Sequence, residues 1–330
     1  MKRLYKGLAG IAITALLLAG CGQSNEKADS GSEEGAKIKV VATFYPMVEF
    51  AKQVAGSHAE VVGLIPAGAE PHDWEPSPKD IATIQGADVF VYNGIVEGWA
   101  EKTLESAKSD KRIDVEASQG IELMDGGHDH DHEHGDEADE HGAEVHEDED
   151  EHEHEHGLDP HVWLNPTLAQ QEVRNIEVAL AQADPAHKNE YRANADAFVK
   201  KLLALDEKFR KELNGAKRKE FVTQHAAFGY LAKAYDLTQV PIAGLSPDQE
   251  PSPQGMAEVV AIAKEHGVKT IFFETLVDPK VAQTIANEIG AKTDVLNPLE
   301  GLTDEEAASG LDYIGVMTNN LAALAKALKE

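Results

Sequence analysis

Short apolar runs and helical patterns alternate along most of this chain, and the alternation occurs twice. Ile38–Phe44 (IKVVATF), Glu60–Ile65 (EVVGLI), Asp88–Tyr92 (DVFVY) and Arg112–Val115 predict four strands. Helical patterns fall between them, near Val48–Ala55, Pro78–Gln85 and Glu97–Ser106. A strand buried on both faces reads as a continuous apolar run, and its alternation with helices predicts parallel βαβ units. Beyond Gly215 the pattern resumes. Glu220–Thr223, Leu237–Ile242, Lys269–Phe273 and Thr293–Leu296 predict four more strands, with helices at Ala227–Tyr235, Pro253–His266, Pro279–Ile289 and Asp304–Lys329. The expected fold class is α/β: two similar lobes, each a four-stranded, mainly parallel sheet flanked by helices.

Two helices lie between the lobes. Pro166–Ala183 is the first. The second, Pro185–Leu213, carries apolar residues at Tyr191, Ala195, Phe198, Leu202, Leu205 and Phe209, three or four apart as a buried stripe requires. Asp184 is placed to cap it, with Pro185 at its first position. A helix of roughly 28 residues reaches about 42 Å, enough to bridge two lobes. Folds of this kind bind ligands in crevices at strand carboxyl ends and in clefts between domains.

Two segments break the pattern. From His128 to His156 the chain is almost entirely His, Asp, Glu, Gly and Ala, and no Lys or Arg occurs between Arg112 and Arg174. Such a stretch buries too little apolar surface to offset its ordering entropy and is expected to be disordered. At the other departure, Lys2, Arg3 and Lys6 precede an apolar run from Leu8 to Leu18, then Ala-Gly and Cys21. That is the layout of a secretory signal, too short to span a bilayer comfortably. Leu18-Ala19-Gly20-Cys21 resembles the bacterial lipobox, and Cys21, the only cysteine, has no internal disulfide partner. The expected organisation is a signal peptide at 1–20, a lipid-anchored tether at 21–37 and an N-terminal lobe at 38–165. That lobe contains the His/acid loop 125–157. A helix at 166–184, a linking helix at 185–213 and a C-terminal lobe at 214–330 follow.

Composition narrows the ligands. The formal charge is −29. Such a surface repels nucleic acid and anionic lipid headgroups, which leaves cations as the natural counterpart.

Histidine usage then points to which cation. Of 15 histidines, nine lie in the tract: His128, His130, His132, His134, His141, His146, His152, His154 and His156. His58, His187 and His266 fall in polar turns or helices and read as solvated. His72, His161 and His225 sit at turns beside aromatic or apolar residues, in PAGAEPHDWEPSP, LDPHVWLNP and TQHAAFGYLAKAY. Singly, each is an ordinary core histidine with a satisfied hydrogen bond. Together at strand exits in two lobes, they suggest convergence on a divalent metal. A carboxylate at another strand exit would complete the shell: Glu300 in VLNPLEGLT is best placed and Glu274 in IFFETL second, with Glu70 and Glu75 as alternatives beside His72.

Those four segments, in this order and with a His/acid tract between the first two, resemble the zinc-binding receptor lipoproteins of bacterial ABC importers. The similarity runs from about Ile38 to the C-terminus. It implies two α/β lobes joined by a rigid long helix, with the metal in the interlobe cleft. The family's motif histidines match His72, His161 and His225, and its fourth ligand corresponds to Glu300. Manganese-binding relatives carry a carboxylate where this chain has His225. The resemblance thus implies Zn²⁺ as cargo, no covalent chemistry, and a monomer working with an ABC permease and its ATPase outside the cytoplasm.

The donor chemistry agrees, because imidazole suits Zn²⁺ whereas Mn²⁺ prefers oxygen, although Cu²⁺ and Ni²⁺ also fit by affinity. The tract's alternating imidazoles and carboxylates would serve as an accessory metal collector, against the plainer reading of a tolerated acidic insertion. The rivals are a zinc hydrolase, whose HExxH and HxHxD patterns occur only inside the polar tract, at His152–His156 and His132–Asp136, and not at the framework histidines, a manganese or iron receptor, and a metal-dependent surface adhesin.

Overall fold

A computed structural model of the chain describes residues 37–126, 157–249 and 251–330. The expected signal segment, Cys21 and the nine tract histidines lie outside those residues. Among the described residues no helix is long and apolar enough to cross a membrane.

The N-terminal lobe runs β1 (Ile38–Ala42), α1 (Tyr45–Ala55), β2 (Ala59–Gly63), α2 (Pro78–Gln85), β3 (Val89–Tyr92), α3 (Ala100–Ser106) and β4 (Ile113–Glu116). Its sheet has the order β2-β1-β3-β4, every pair parallel. After a short 3₁₀ turn at Val162–Leu164 come α4 (Pro166–Ala183) and α5 (Lys188–Leu213). The C-terminal lobe repeats the scheme with β5 (Glu220–Thr223), α6 (Gly229–Ala234), β6 (Thr238–Pro241), α7 (Pro253–Glu265), β7 (Thr270–Phe273), α8 (Lys280–Ile289) and β8 (Lys292–Val295). Its order, β6-β5-β7-β8, is the same with four added to each number, and all pairs are again parallel. The last segments are α9 (Asp304–Ala308) and α10 (Tyr313–Lys329).

Two expectations need correction. The single helix expected over Asp304–Lys329 is two. Thr303 and Glu306 close a capping box on α9, Gly310 turns the chain with φ +73°, and the Asp312 carboxylate accepts the Gly315 N–H at 2.8 Å to start α10 afresh. The long helix begins as a 3₁₀ turn at Pro185–His187, and the Asp184 side chain does not cap it. That carboxylate instead accepts from His187 Nδ1 at 2.6 Å and from the Tyr191 hydroxyl at 2.8 Å. His187 in turn stacks on His58, ring centroids 4.3 Å apart.

Each sheet has an outer face with its own small core: Val41, Leu64, Ile84 and Phe90 in the first lobe, Val222, Val259, Ile271 and Ile285 in the second. The inner faces do not stay separate. One buried cluster runs from Val40, Val89 and Val91 through α1, α4 and α5 to Phe221, Phe272 and the α10 residues Tyr313, Met317 and Leu324. Phe50 of α1 meets Tyr313 of α10 with centroids 5.1 Å apart and Phe198 of α5 at 5.8 Å. Directional bonds join the same seam. Trp163 Nε1 donates to Pro298 O at 2.8 Å, and the Tyr313 hydroxyl to Trp163 O at 2.5 Å.

Two acids are sealed in this interior. Glu97 is well supplied: the Thr43 hydroxyl and the Asn93 and Gly94 N–H groups all donate to it. Glu172 of α4 is fully buried, and neither of its oxygens has a hydrogen-bond partner. Burial pushes its pKa up to about 8, and the Glu97 charge adds to the rise.

A shared core and interlobe bonds predict that the lobes move together. Solution scattering profiles of metal-stripped and zinc-loaded chain should superimpose, and a marked difference in radius of gyration would refute this. Glu172 makes a second prediction. Its proton is held up to about pH 8 when folded but leaves near the ordinary 4.5 when unfolded, so stability is lost as pH rises through that window. Glu172→Met should therefore stabilise the protein at pH 8 by roughly 1–4 kcal/mol, with a smaller gain near pH 5, as read from urea unfolding of metal-stripped samples.

Candidate metal centre

Four side chains meet at the carboxyl ends of strands from both sheets. His72 lies on the loop after β2, His225 directly after β5, and Glu300 on the loop after β8. His161 immediately precedes the 3₁₀ turn that leads into α4. Their ligand atoms all lie within 4.8 Å of one another. Glu300 Oε1 is 3.0 Å from His72 Nε2, 3.1 Å from His161 Nε2 and 3.3 Å from His225 Nε2, and the last two nitrogens are 3.4 Å apart. Three of the four side chains are sealed from solvent, while His72 keeps 11% of its surface exposed.

Every ring presents the same nitrogen inward, and the cause is visible for two of them. Asp159 Oδ1 accepts both the His161 backbone N–H at 2.9 Å and Nδ1 at 2.8 Å. Glu274 Oε1 does the same for His225, at 3.1 and 2.5 Å. A proton held on Nδ1 leaves Nε2 with its lone pair free, the form a metal ligand needs. For His72 the carboxylate is Glu70, which accepts the backbone N–H at 2.9 Å. Each histidine thus has a carboxylate on its backbone N–H, and for His161 and His225 the same oxygen also holds the ring.

Local backbone geometry brings Glu300 inward. Leu299 is buried and adopts φ +61°, a left-handed conformation uncommon for a side chain of this size, with its N–H held by Asn297 Oδ1 at 2.7 Å. The Gly68 N–H donates to Leu302 O at 3.0 Å, which ties the His72 loop to the Glu300 loop.

The electrostatics follow from this crowding. Burial alone would raise the Glu300 carboxyl, but His225 charge and the three imidazole contacts hold it well below the usual carboxylate range. Burial works against protonation of His161 and His225, yet Asp159, Glu274 and Glu300 lift both above the ordinary imidazole value. Glu70 is pushed up to about 8, first by burial and then by the Glu300 charge. Three imidazoles and a carboxylate at this spacing make a four-donor cluster that could hold a borderline-soft divalent ion.

The remaining candidates sit elsewhere. Glu274 belongs beneath His225, Glu70 beneath His72, and Glu75 is exposed. His266 lies 3.4 Å from Glu220 on the outside of the second lobe. Sequence reasoning passed over Asp159, although the signal was present: Glu70-Pro71-His72 and Asp159-Pro160-His161 are the same acid-Pro-His pattern. In each copy the acid folds back onto the N–H two residues on, as in an Asx-type turn.

Comparison with known proteins bears on the whole of this architecture. The chain is 50% identical over 329 residues to the high-affinity zinc uptake system protein ZnuA of Bacillus subtilis, covering 99% of both. It is 44% identical to the zinc-binding lipoprotein AdcA of Streptococcus pneumoniae, covering 98% of this chain and 60% of AdcA. The crystal structure of the Zn(II)-bound ZnuA-like domain of that AdcA superimposes with a TM-score of 0.73 at 42% identity, covering 89% of this chain and all of that domain. Residues 40–327 match the family model described as zinc-uptake complex component A, periplasmic, and the chain therefore belongs to the ZnuA family.

Proposed function

We propose that this protein is an extracytoplasmic zinc receptor that captures Zn²⁺ and passes it to an ABC permease and its ATPase for import. The observation that carries this reading is the convergence of three imidazole Nε2 atoms on one carboxylate within 4.8 Å. His72, His161, His225 and Glu300 are the proposed ligands, filling the four positions that Zn²⁺ prefers and leaving none open for a substrate. A closed shell suits holding an ion and not hydrolysis, which needs an open position. Three nitrogens against one oxygen also weigh against Mn²⁺, the weakest binder of the series and the one most dependent on oxygen donors. The family's own description, a zinc-uptake component, supports the same cargo.

The finer parts of the proposal rest on sequence. Residues 1–20 would be removed, and Cys21 would carry lipid that tethers a monomer to the membrane through residues 21–37. Residues 38–165 and 214–330 would form the two lobes around the helices at 166–184 and 185–213. The nine histidines between His128 and His156 would act as an accessory collector, raising the local concentration of zinc near the cleft.

Two measurements test this reading. The Gly126 N–H donates to Gly157 O at 2.9 Å, so residues 128–156 can be deleted and the ends rejoined without disturbing the fold. That deletion variant, stripped of metal, should bind one zinc with an affinity on the order of nanomolar or better, about −12 kcal/mol, and far in preference to manganese. Failure to bind zinc tightly without the tract would remove the chemical basis for the framework site. Glu274→Gln should weaken zinc roughly 10–100-fold by loosening the His225 ring, as measured by chelator competition. Unchanged affinity would mean that Glu274 is only a packing residue.

A further inference from the structure

We infer that Tyr230 and Gly229, at the start of α6 in the C-terminal lobe, are positioning residues for His161 of the N-terminal lobe. The chain leaves the first lobe at Met124 and returns at Asp159 through a two-stranded neck. Asp125 and Leu158 form an antiparallel bridge, the Gly126 N–H donates to Gly157 O at 2.9 Å, and the Asp159 N–H donates to Met124 O at 2.8 Å. Both strands of this neck end on one phenol. The Tyr230 hydroxyl accepts the Met124 N–H at 2.8 Å and donates to the Asp159 carbonyl at 2.9 Å. Its ring, 3% exposed, packs with Ile121 and with Val162, the residue after His161.

Asp159 is the residue whose carboxylate holds His161 by both its N–H and Nδ1. Its other oxygen, Oδ2, lies where Gly229 has no side chain: a Cβ there would stand 2.8 Å from it. Contacts closer than 3.0 Å are essentially never made by a real Cβ, so any larger residue would push the carboxylate or the helix aside. The C-terminal lobe thus meets Asp159 at two points: Tyr230 bonds its carbonyl, and the missing side chain at Gly229 leaves room for its Oδ2. The tilt of the His161 ring is fixed across the lobe boundary and not by its own loop alone. Within a rigid donor set, a small error in ring tilt costs affinity and geometry, because outer-shell partners orient the ligands they touch.

This inference rests on His161 being a zinc ligand, and the experiment separates the two claims. The chain with its insertion intact is stripped of metal and given sub-stoichiometric Co²⁺, so that the tightest site fills first and its visible absorption reports ligand geometry. Zinc-loaded protein is challenged separately with EDTA. Tyr230→Phe keeps the ring and removes both hydrogen bonds. It should change the position or intensity of the cobalt bands and release zinc roughly ten-fold faster, in the range typical of lost outer-shell partners. Gly229→Ala should do the same by a different route, and it decides the matter if Tyr230→Phe does not fold. Tyr235→Phe, at the far end of α6, removes only the 3.0 Å bond to Asp206 and should leave both readouts at wild type. His161→Ala is the reference. If it leaves the cobalt spectrum unchanged, the ligand assignment itself is wrong. If it alters the spectrum while Tyr230→Phe and Gly229→Ala match wild type, the ligand assignment stands and the positioning role is refuted.

Discussion

Two parallel sheets back onto one apolar core, and that single packing sets the distance between His161 and Glu300, which neither lobe could set alone. The seam of Phe50, Phe198, Tyr313 and Trp163 belongs to both halves. A core packed to the density of an organic crystal resists small displacements, so loops rooted in it inherit its precision. The same feature explains why the four ligand atoms are gathered at one point. His72, His225 and Glu300 come from loops that follow strands, His161 from the turn that enters α4, and the core beneath holds all four segments in place.

Gathering the donors has an electrostatic cost that the surroundings offset. A buried carboxylate beside three imidazoles would be expensive if the outer faces of those rings were left bare. Asp159 and Glu274 supply the missing partners for His161 and His225, while Glu70 holds only the backbone N–H of His72. These contacts specify orientation more than they add stability, because buried polar groups at best recover what their burial costs. Glu172 shows the contrary case. It has no such supply and keeps its proton instead.

Much of this could be read from residue order, for identifiable reasons. The central strands β1, β3, β5 and β7 were legible from their apolar runs, whereas the edge strands β2, β4, β6 and β8 are more polar and more exposed and were legible chiefly from the alternation with helices. His72, His161 and His225 stood out because a polar ring among aromatic and proline residues at a strand exit calls for a partner. The role of Glu274 was not legible. It lies 49 residues from His225, and only the adjacency of β5 and β7 brings the two together. Asp159 was hidden differently, inside a motif read for its histidine. The break at Gly310 was missed because apolar spacing continues across it, while the decisive facts were a left-handed glycine and an aspartate placed to start a new turn. Even Glu172 left a trace, as an acid on the apolar face shared by Ala169, Val173 and Ile176.

The narrow neck at Gly126 and Gly157 has a meaning for how such a gene can change. Where two chain ends already touch, the fold asks nothing of the stretch between them except that it close a loop, and the entropy of closure grows only slowly with length, about 0.6 kcal/mol for each doubling. Codons can be gained, lost or duplicated there with almost no penalty to folding. Folding therefore places little constraint on composition or length in that interval, and a descendant can lengthen or shorten it while the framework beneath stays as it is.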